Sequence, residues 1–355
     1  MSFLQVKNVR IAGVCANVPE QVVTNDESSM SGLGYKASDF VHTTGVAQRH
    51  VSQTLTTSDL CYKAALRLLD DLSWEKDSID CLVFLSQTQD YFYPATSCIL
   101  QDRLGLSKKC FCEDLSLGCS GWVYGLATTS SLLQTGDMKR ALLMVGDAKR
   151  HFDADDPLFG FAGTVTALEF CEGSDGFMFL FGTDGSGYSD IIIPDGGARN
   201  PITLESFQKD KIGDRLYSRL ECRMNGMNVF LFGSSVAPNS IREICQHYNQ
   251  KLEDIDYVVL HQANKKMLSL ITKRLKLQEN RVPICIDRYG NTSSASIPLT
   301  LVSELSGQLV KGNQHLACCG FGVGLSWGCV LLTTDPMVVS GVLTMKEDEA
   351  DYSPT

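Results

Sequence analysis

The sequence lacks the long apolar stretch that a membrane-spanning helix needs, since no run approaches about 20 apolar residues. Its first segment, MSFLQVKNVRIAGVC, has no apolar run of signal-peptide length and has the pattern of a strand. A surplus of positive charge is also missing, because 31 Lys and Arg residues face 41 Asp and Glu residues. We therefore expect a cytoplasmic globular protein that binds neither a membrane nor nucleic acid.

Metal-binding motifs are absent, although the chain has 14 cysteines. No CxxC pair occurs, and the CxC at Cys110 and Cys112 has no matching pair of histidines, which predicts no metal site. Most of the cysteines lie in apolar runs, as Cys81 does in DCLVFL, where a free thiol packs as a small hydrophobic group. This pattern indicates reduced thiols in a reducing compartment.

Two segments far apart in the chain have the same order of elements, which indicates an internal duplication. Each has an apolar helix pattern, an acidic turn and a buried strand that opens with Ile-Asp, at Ile79 and at Ile255. The alternation predicts an α/β fold of two similar halves, each with a mixed, mostly parallel sheet. We place the halves at residues 1–180 and 181–334, followed by an acidic tail over 335–355. Chance similarity between two helix–strand units is the alternative.

A candidate nucleophile lies at a predicted strand-to-helix turn. A short apolar stretch leads into GCSG, which contains Cys119, and a helical pattern follows directly. The positive end of the helix dipole favours a thiolate, which is the reactive form of cysteine. The alternative is a structural cysteine in a glycine-rich turn.

Two further candidates follow in the second half. His261 ends the strand pattern of IDYVVLHQAN, where parallel sheets present site residues. Asn291 lies in DRYGNTSSASIP, between a glycine and a run of small hydroxyl residues. Either residue alone is compatible with a purely structural role. The later segment GFGVGLSWG interleaves glycines with a strand, which suits backbone N–H groups directed at a ligand.

Together, GCSG, HQAN, GNTS and GFGVGLSWG occur in an order and spacing that resemble the thiolase superfamily. The resemblance is strongest to β-ketoacyl-acyl-carrier-protein synthase III, an acyltransferase of fatty acid biosynthesis, and it extends from about Val6 to Leu332. It implies a five-layered αβαβα thiolase fold that is active as a homodimer. It also implies acyl and malonyl thioester substrates, carried on the phosphopantetheine of acyl carrier protein or coenzyme A, and no further cofactor.

The resemblance assigns a role to each candidate. Cys119 takes an acyl group from a thioester, and the backbone N–H groups of Cys119 and Val323 form the oxyanion hole. His261 and Asn291 bind the thioester carbonyl of the malonyl donor and stabilise the enolate that forms as carbon dioxide leaves. The carbanion then attacks the acyl group, which gives a 3-ketoacyl thioester.

The resemblance also implies the residues that bind the rest of the substrates. They are Gly226, Phe230 and Gly233 in the pantetheine tunnel, Tyr93 and Phe159 at the acyl pocket, and Lys265, Lys266, Lys273 and Arg274 on the surface that docks the acidic carrier protein. Tyr93 is expected to reach across the dimer and close the acyl pocket of the partner. Because a packed pocket tolerates extra methylenes poorly, a primer of about two to four carbons is predicted.

The sequence departs from the family pattern around the expected coenzyme A site. Asp39 and Thr43 stand where the family carries a Trp and an Arg that clasp the adenine. The loop KRHFDADDP is short and acidic, and the family motif DGAG is altered in the segment 160–164. These changes weaken the case for an acyl-coenzyme A primer. Two alternative functions stay open: a specialised acyltransferase or condensing enzyme of a secondary pathway, and a non-catalytic partner subunit.

Overall fold

A computed structural model describes residues 1–31, 33–34, 36–148, 156–212 and 215–350. The strands are β1 Ser2–Val6, β2 Val9–Pro19, β3 Val22–Thr24, β4 Gln48–His50, β5 Cys81–Leu85, β6 Phe111–Leu115, β7 Arg140–Asp147, β8 Ala162–Phe170, β9 Phe177–Thr183, β10 Ile191–Ile192, β11 Asp210–Ile212, β12 Arg215–Tyr217, β13 Arg223–Met224, β14 Tyr257–Leu260, β15 His315–Gly322, β16 Ser326–Thr333 and β17 Val338–Met345. The helices are α1 Ala37–Thr44, α2 Thr57–Leu72, α3 Thr96–Leu104, α4 Gly121–Leu133, α5 Gly226–His247, α6 Lys265–Leu275, α7 Ile286–Tyr289, α8 Ser296–Glu304 and α9 Ser306–Lys311.

Two mixed sheets organise the fold. One has six strands in the order β17-β2-β8-β7-β5-β6, and the other has five in the order β1-β9-β16-β15-β14. Strand β5 runs parallel to β6 and β7, and β14 runs parallel to β15, whereas β8 and β16 run antiparallel to both of their neighbours. The mixed α/β architecture predicted from the alternating elements is confirmed.

Helices cover both sheets and fill the space between them. Helices α2 and α3 pack on the outer face of the six-stranded sheet, and α5 and α6 pack on the outer face of the five-stranded sheet. Helices α4 and α8 lie between the sheets, where Trp122 is fully buried and donates to Thr166 Oγ1 at 3.0 Å. Stacking these layers buries the apolar faces of the two sheets and of the helices between them and produces the five-layered αβαβα arrangement.

The duplicated Ile-Asp pairs have the same structural role in both sheets. Asp80 precedes β5, and its carboxylate accepts backbone N–H groups of Lys139 and Arg140 at the start of the neighbouring β7. Asp256 precedes β14, and its carboxylate accepts the backbone N–H of His315 at the start of the neighbouring β15. Each aspartate thus joins the amino ends of two parallel strands.

The boundary between the halves near residue 180 stays a prediction.

The interpretation of residues 335–355 as a tail was wrong for its first part. Val338–Met345 form β17, which pairs in parallel with β2 at the edge of the six-stranded sheet. The segment VVSGVLTM has the β-branched composition of a strand, and β2 offers it an unpaired edge. Two acidic residues then anchor the chain: Glu349 pairs with Lys63 at 2.7 Å, and Glu347 accepts the backbone N–H of Thr54 at 3.0 Å. Residues 351–355 lie outside the described residues.

Candidate active site

Cys119 lies in the turn between β6 and the N-terminus of α4, as the sequence predicted, and its side chain is half-buried. The turn packs tightly against β15. A Cβ placed on Gly322 would lie 2.6 Å from the Cβ of Cys119 and 2.9 Å from its Sγ, so only glycine fits there. The sulfur also lies 3.9 Å from Ser293 Oγ. The nucleophile candidate is therefore held between β15 and the turn that follows Asn291.

His261 follows the carboxyl end of β14 and is only 2% exposed. Its Nδ1 lies 2.7 Å from Ser296 Oγ, and its ring packs edge-on against Phe321. Burial lowers the pKa of His261 to about 3, which keeps the imidazole neutral at physiological pH. When the Ser296 hydroxyl donates to Nδ1, the ring proton lies on Nε2, and this is the tautomer that can donate from Nε2. Ser296 could not be singled out from the sequence, because it is one hydroxyl residue among several.

Asn291 lies 6% exposed between α7 and the turn Ser293–Ala295. Its Oδ1 accepts the backbone N–H of Ser293 at 2.9 Å, which fixes the orientation of the amide and presents Nδ2 as the free donor. The backbone of Asn291 is held from the other side, where its N–H donates to Leu158 at 2.9 Å and its carbonyl accepts from Gly160 at 3.1 Å. A Cβ at Gly160 would overlap the carbonyl of Tyr289. The altered motif around residue 160 thus supports Asn291 directly.

Val323 follows β15 beside the nucleophile turn. Ser120 Oγ lies 2.7 Å from Ser326 Oγ, and Ser326 Oγ donates to the Val323 carbonyl at 3.0 Å. This chain of hydrogen bonds joins the two backbone segments whose N–H groups the resemblance assigns to the oxyanion hole. Sequence reasoning missed both serines, because the roles assigned to GCSG and GFGVGLSWG fall on Cys119 and Val323 and not on the serines of these motifs.

The candidates converge on one cavity of about 1580 Å³. Its walls include Cys119, His261, Asn291, Val323, Phe159, Gly226 and Phe230. Cys119 precedes the N-terminus of α4, and His261 and Val323 follow the carboxyl ends of β14 and β15, where open α/β sheets place their sites. The structure therefore brings together the candidate nucleophile, the two candidate donors and part of the predicted substrate tunnel.

Two predicted binding residues lie elsewhere in the protomer. Gly233 is buried on α5, where a Cβ would meet the Phe321 ring at 2.6 Å and Met267 Sδ at 2.7 Å, so it packs behind the cavity wall and does not line the tunnel. Tyr93 is 87% exposed, and its neighbours Tyr91 and Phe92 line the cavity of the same chain. Tyr93 therefore does not close the pocket of its own protomer.

The four basic candidates are exposed on α6 near the mouth of the cavity. Lys265 and Lys266 occupy its first turn, and Lys273 and Arg274 occupy its last. Cations in the first turn of a helix oppose its dipole, so the two lysines are not there to stabilise α6. Lys266 Nζ lies 3.3 Å from Thr43 Oγ1, and Arg274 donates to the Ser234 carbonyl on α5 at 2.7 Å.

Two of the departures from the family pattern, Asp39 and Thr43, lie on α1 and line the cavity. Residues 149–155, the first seven residues of the loop KRHFDADDP, lie outside the described residues. Across the described ranges, every helix is too short or too polar to span a bilayer. Within the same ranges, no group of three or more His, Cys, Asp or Glu side chains is arranged to hold a metal ion.

Comparisons with known proteins show the family to which this chain belongs. The family model for 3-oxoacyl-[acyl-carrier-protein] synthase III matches residues 113–185, and the model for the C-terminal part of the same family matches residues 245–334. A β-ketoacyl-acyl-carrier-protein synthase III from Rhodopirellula baltica is 34% identical, with 92% of this chain and 98% of the relative covered. One from Clostridium acetobutylicum is 31% identical, with 92% and 99% covered.

A solved structure leads to the same conclusion. The 3-oxoacyl-(acyl-carrier protein) synthase from Burkholderia xenovorans LB400 superposes with a TM-score of 0.88 and is 35% identical, with 97% of this chain and 99% of that chain covered. "3-Oxoacyl" and "β-ketoacyl" name the same chemical group. This chain therefore belongs to the β-ketoacyl-acyl-carrier-protein synthase III family of the thiolase superfamily.

Proposed function

We propose that this enzyme joins an acyl group held on Cys119 to a malonyl group carried by acyl carrier protein, releasing carbon dioxide and a 3-ketoacyl thioester. The observation that carries the proposal is the convergence of Cys119, His261 and Asn291 on one cavity, with the imidazole held neutral by burial. Two neutral donors suit a thioester carbonyl that becomes an enolate oxygen.

The first half-reaction is acyl transfer to the enzyme. The Cys119 thiolate attacks the carbonyl carbon of the primer thioester, the bond from that carbon to the carrier sulfur breaks, and the carrier leaves as a thiolate that takes a proton from the solvent. The N-terminus of α4 stabilises the anionic attacking sulfur. The backbone N–H groups of Cys119 and Val323 stabilise the oxyanion, and the Ser120–Ser326 hydrogen bond keeps their separation fixed.

The second half-reaction makes the new carbon–carbon bond. His261 Nε2–H and Asn291 Nδ2–H donate to the malonyl thioester oxygen. The bond to the carboxylate breaks, carbon dioxide leaves, and the electron pair enters the enolate. The enolate carbon then attacks the acyl carbonyl on Cys119, the carbon–sulfur bond breaks, and the Cys119 thiolate is regenerated. No proton is exchanged with His261, which agrees with an imidazole that stays neutral.

The purified protein tests this function when it is incubated with malonyl-acyl-carrier protein and a panel of acyl thioesters on coenzyme A and on carrier protein. We expect carbon dioxide release coupled to a 3-ketoacyl product in intact-protein mass spectra. Transfer of the acyl group to another acceptor without carbon dioxide release would favour the specialised acyltransferase. No acylation and no decarboxylation with any thioester would favour the non-catalytic partner subunit.

We propose that the enzyme acts in the cytoplasm and needs no cofactor beyond its phosphopantetheine thioesters. All fourteen cysteines, including the CxC pair Cys110 and Cys112, are free thiols, a state that a reducing compartment maintains. Asp39 at the cavity mouth adds negative charge near the path of the carrier arm. Such a charge opposes the phosphates of coenzyme A, which supports a carrier-bound primer.

The basic face of α6 supports docking of an acidic carrier protein. We expect the charge reversals Lys266→Glu and Lys273→Glu together to lower kcat/KM for malonyl-acyl-carrier protein by about 10-fold at low salt, because opposite charges steer association. Use of malonyl-pantetheine, which lacks the protein, should change little. Arg274 is left unchanged in this variant, because its guanidinium donates to the Ser234 carbonyl and so also supports α5.

Lys251→Glu is the matched control for docking, because Lys251 is exposed at the amino end of β14, away from the cavity mouth. The defect of the double variant should shrink as salt is added, because screening weakens surface charge pairs. Equal losses on the protein-bound and the small substrate would contradict docking on this face.

The exposed Tyr93 supports a homodimer in which each protomer completes the other's acyl pocket. We expect Tyr93→Gly to raise acylation by an eight-carbon thioester by about 5- to 150-fold, because removing the ring relieves overpacking of about 1–3 kcal/mol. Acyl-enzyme formation across a thioester series measures the change. Tyr188→Gly, which removes another exposed tyrosine, is the control.

A mixed dimer separates action across the interface from action within one chain. One protomer carries Cys119→Ala and Tyr93→Gly, and its partner is wild type, so only the wild-type protomer can be acylated. We expect this dimer to accept the long primer, because the acyl pocket of the wild-type protomer is bordered by residue 93 of the variant chain, which is now glycine and no longer closes it. Refusal of the long primer by this dimer, or ready use of eight carbons by the wild type, would contradict the assignment.

A further inference from the structure

Asp147 is a buried carboxylate at the end of β7 to which the chemistry above gives no part, and it is 3% exposed. Its Oδ1 accepts the backbone N–H of Gln87 at 2.8 Å and the hydroxyl of Ser86 at 3.1 Å. Its Oδ2 accepts the hydroxyl of Ser294 at 2.8 Å and the backbone N–H of the same residue at 3.4 Å. All four neighbouring groups donate, so Asp147 serves only as an acceptor.

No cation compensates this carboxylate within the described residues, because none of their ion pairs includes Asp147. Burying a carboxylate without a cation is costly, and among the described residues these four hydrogen bonds compensate for that cost. Asp59, which is also buried, pairs instead with Arg103 at 2.9 Å. Asp147 thus depends on the placement of its four hydrogen-bond donors.

The carboxylate joins the two walls of the catalytic cavity. On one side, the Ser293–Ala295 turn contains the N–H that orients Asn291 and the hydroxyl that lies 3.9 Å from Cys119 Sγ. On the other side, the Gln87 side chain lies against Gly118, the residue before the nucleophile, where a Cβ would be 2.5 Å from Gln87 Oε1. Asp147 is the group that ties these two segments to the end of β7.

We infer that Asp147 is a positioning residue that holds the Ser293–Ala295 turn, and with it Asn291, in the geometry required for malonyl decarboxylation. The inference rests on the proposed function, because it concerns the second half-reaction. Decarboxylation depends on where the Asn291 amide lies relative to the thioester oxygen. Self-acylation depends on Cys119 and the oxyanion hole, which the Ser120–Ser326 pair holds independently. A displaced turn therefore slows decarboxylation more than acylation.

Asp147→Asn tests this inference with almost no change in volume. Each carboxylate oxygen accepts one backbone N–H, so whichever way the new amide is turned, its NH₂ group faces a backbone donor that cannot rotate away. We expect carbon dioxide release from malonyl-acyl-carrier protein to fall by about 10- to 100-fold, since small displacements of a positioned group cost rates of this order. Formation of acyl-Cys119 should change by less than about 3-fold.

Asp80→Asn is the matched control, because Asp80 joins the same two strands through backbone N–H groups at their opposite ends. It should leave the ratio of decarboxylation to acylation unchanged even if it lowers the melting temperature. Parallel loss of both half-reactions in Asp147→Asn, or no loss of either, would overturn the inference while the wild type still decarboxylates. Absence of decarboxylation in the wild type would overturn the proposed function, and the inference with it.

Ser294→Ala gives a second, milder test that keeps every backbone contact. It removes the 2.8 Å hydroxyl contact to Asp147, whereas Ser86→Ala removes the corresponding contact on the other oxygen. We expect Ser294→Ala to lower the decarboxylation-to-acylation ratio and Ser86→Ala to leave it unchanged. The effects of Asp147→Asn and Ser294→Ala should be less than additive in the double variant, because both act through one contact. Full additivity would contradict the inference.

Discussion

Cys119→Ala is expected to abolish formation of the acyl-enzyme and to lower condensation by at least about 10⁴-fold, because no other group can carry the acyl chain between the half-reactions. Incubation with an acyl thioester, followed by intact mass measurement and peptide mapping, should place one adduct on Cys119 in the wild type and none in the variant. Release of carbon dioxide from the malonyl donor should persist, since His261 and Asn291 stay in place.

The other cysteines provide the control for this result. Cys98 is exposed on α3, and Cys61 and Cys318 are fully buried. Burial raises the pKa of Cys81 to about 12, which leaves its thiol unreactive at neutral pH. Cys98→Ala retains Cys119, so this variant should be acylated at the wild-type rate. An adduct on another cysteine that persists in Cys119→Ala would contradict the proposed mechanism.

The candidate centre could be predicted because its residues belong to short motifs whose order along the chain is specific. Cys119 precedes α4 and His261 follows β14, as open α/β sheets arrange their sites. Asn291 lies after α7 and is held by its backbone hydrogen bonds to Leu158 and Gly160. The duplication of Ile-Asp had a physical origin as well, because Asp80 and Asp256 make equivalent contacts.

The features that sequence reasoning missed depend on contacts between distant segments. Strand β17 pairs with β2, more than 300 residues earlier in the chain, and no local pattern reports such a pairing. Asp147 ends an ordinary apolar strand, and its importance appears only when Gln87 and Ser294 are brought to it. Gly233 lies two helical turns after Gly226, as a second tunnel residue would, but the Phe321 side chain packs directly against it.

His261→Ala and Asn291→Ala are each expected to slow malonyl decarboxylation by about 100- to 1000-fold, the usual loss when one donor to a developing oxyanion is removed. Both variants should still form acyl-Cys119, because neither residue contributes to the oxyanion hole of the first half-reaction. Carbon dioxide release and acyl-enzyme formation are measured separately on each variant. Normal decarboxylation with lost acylation would reverse the two assignments.

The pH dependence of the same step distinguishes a neutral donor from an acid. Burial lowers the pKa of His261 to about 3, so the imidazole is uncharged between pH 5 and pH 9 and its state does not change across that range. The decarboxylation rate should therefore show no ionisation near the ordinary histidine value of about 6.5. His261→Gln, which keeps a neutral N–H donor, should lose less activity than His261→Ala. An ionisation near pH 6.5 that disappears in His261→Gln would instead identify His261 as a proton donor, because only a group that gains and loses its proton produces such a dependence.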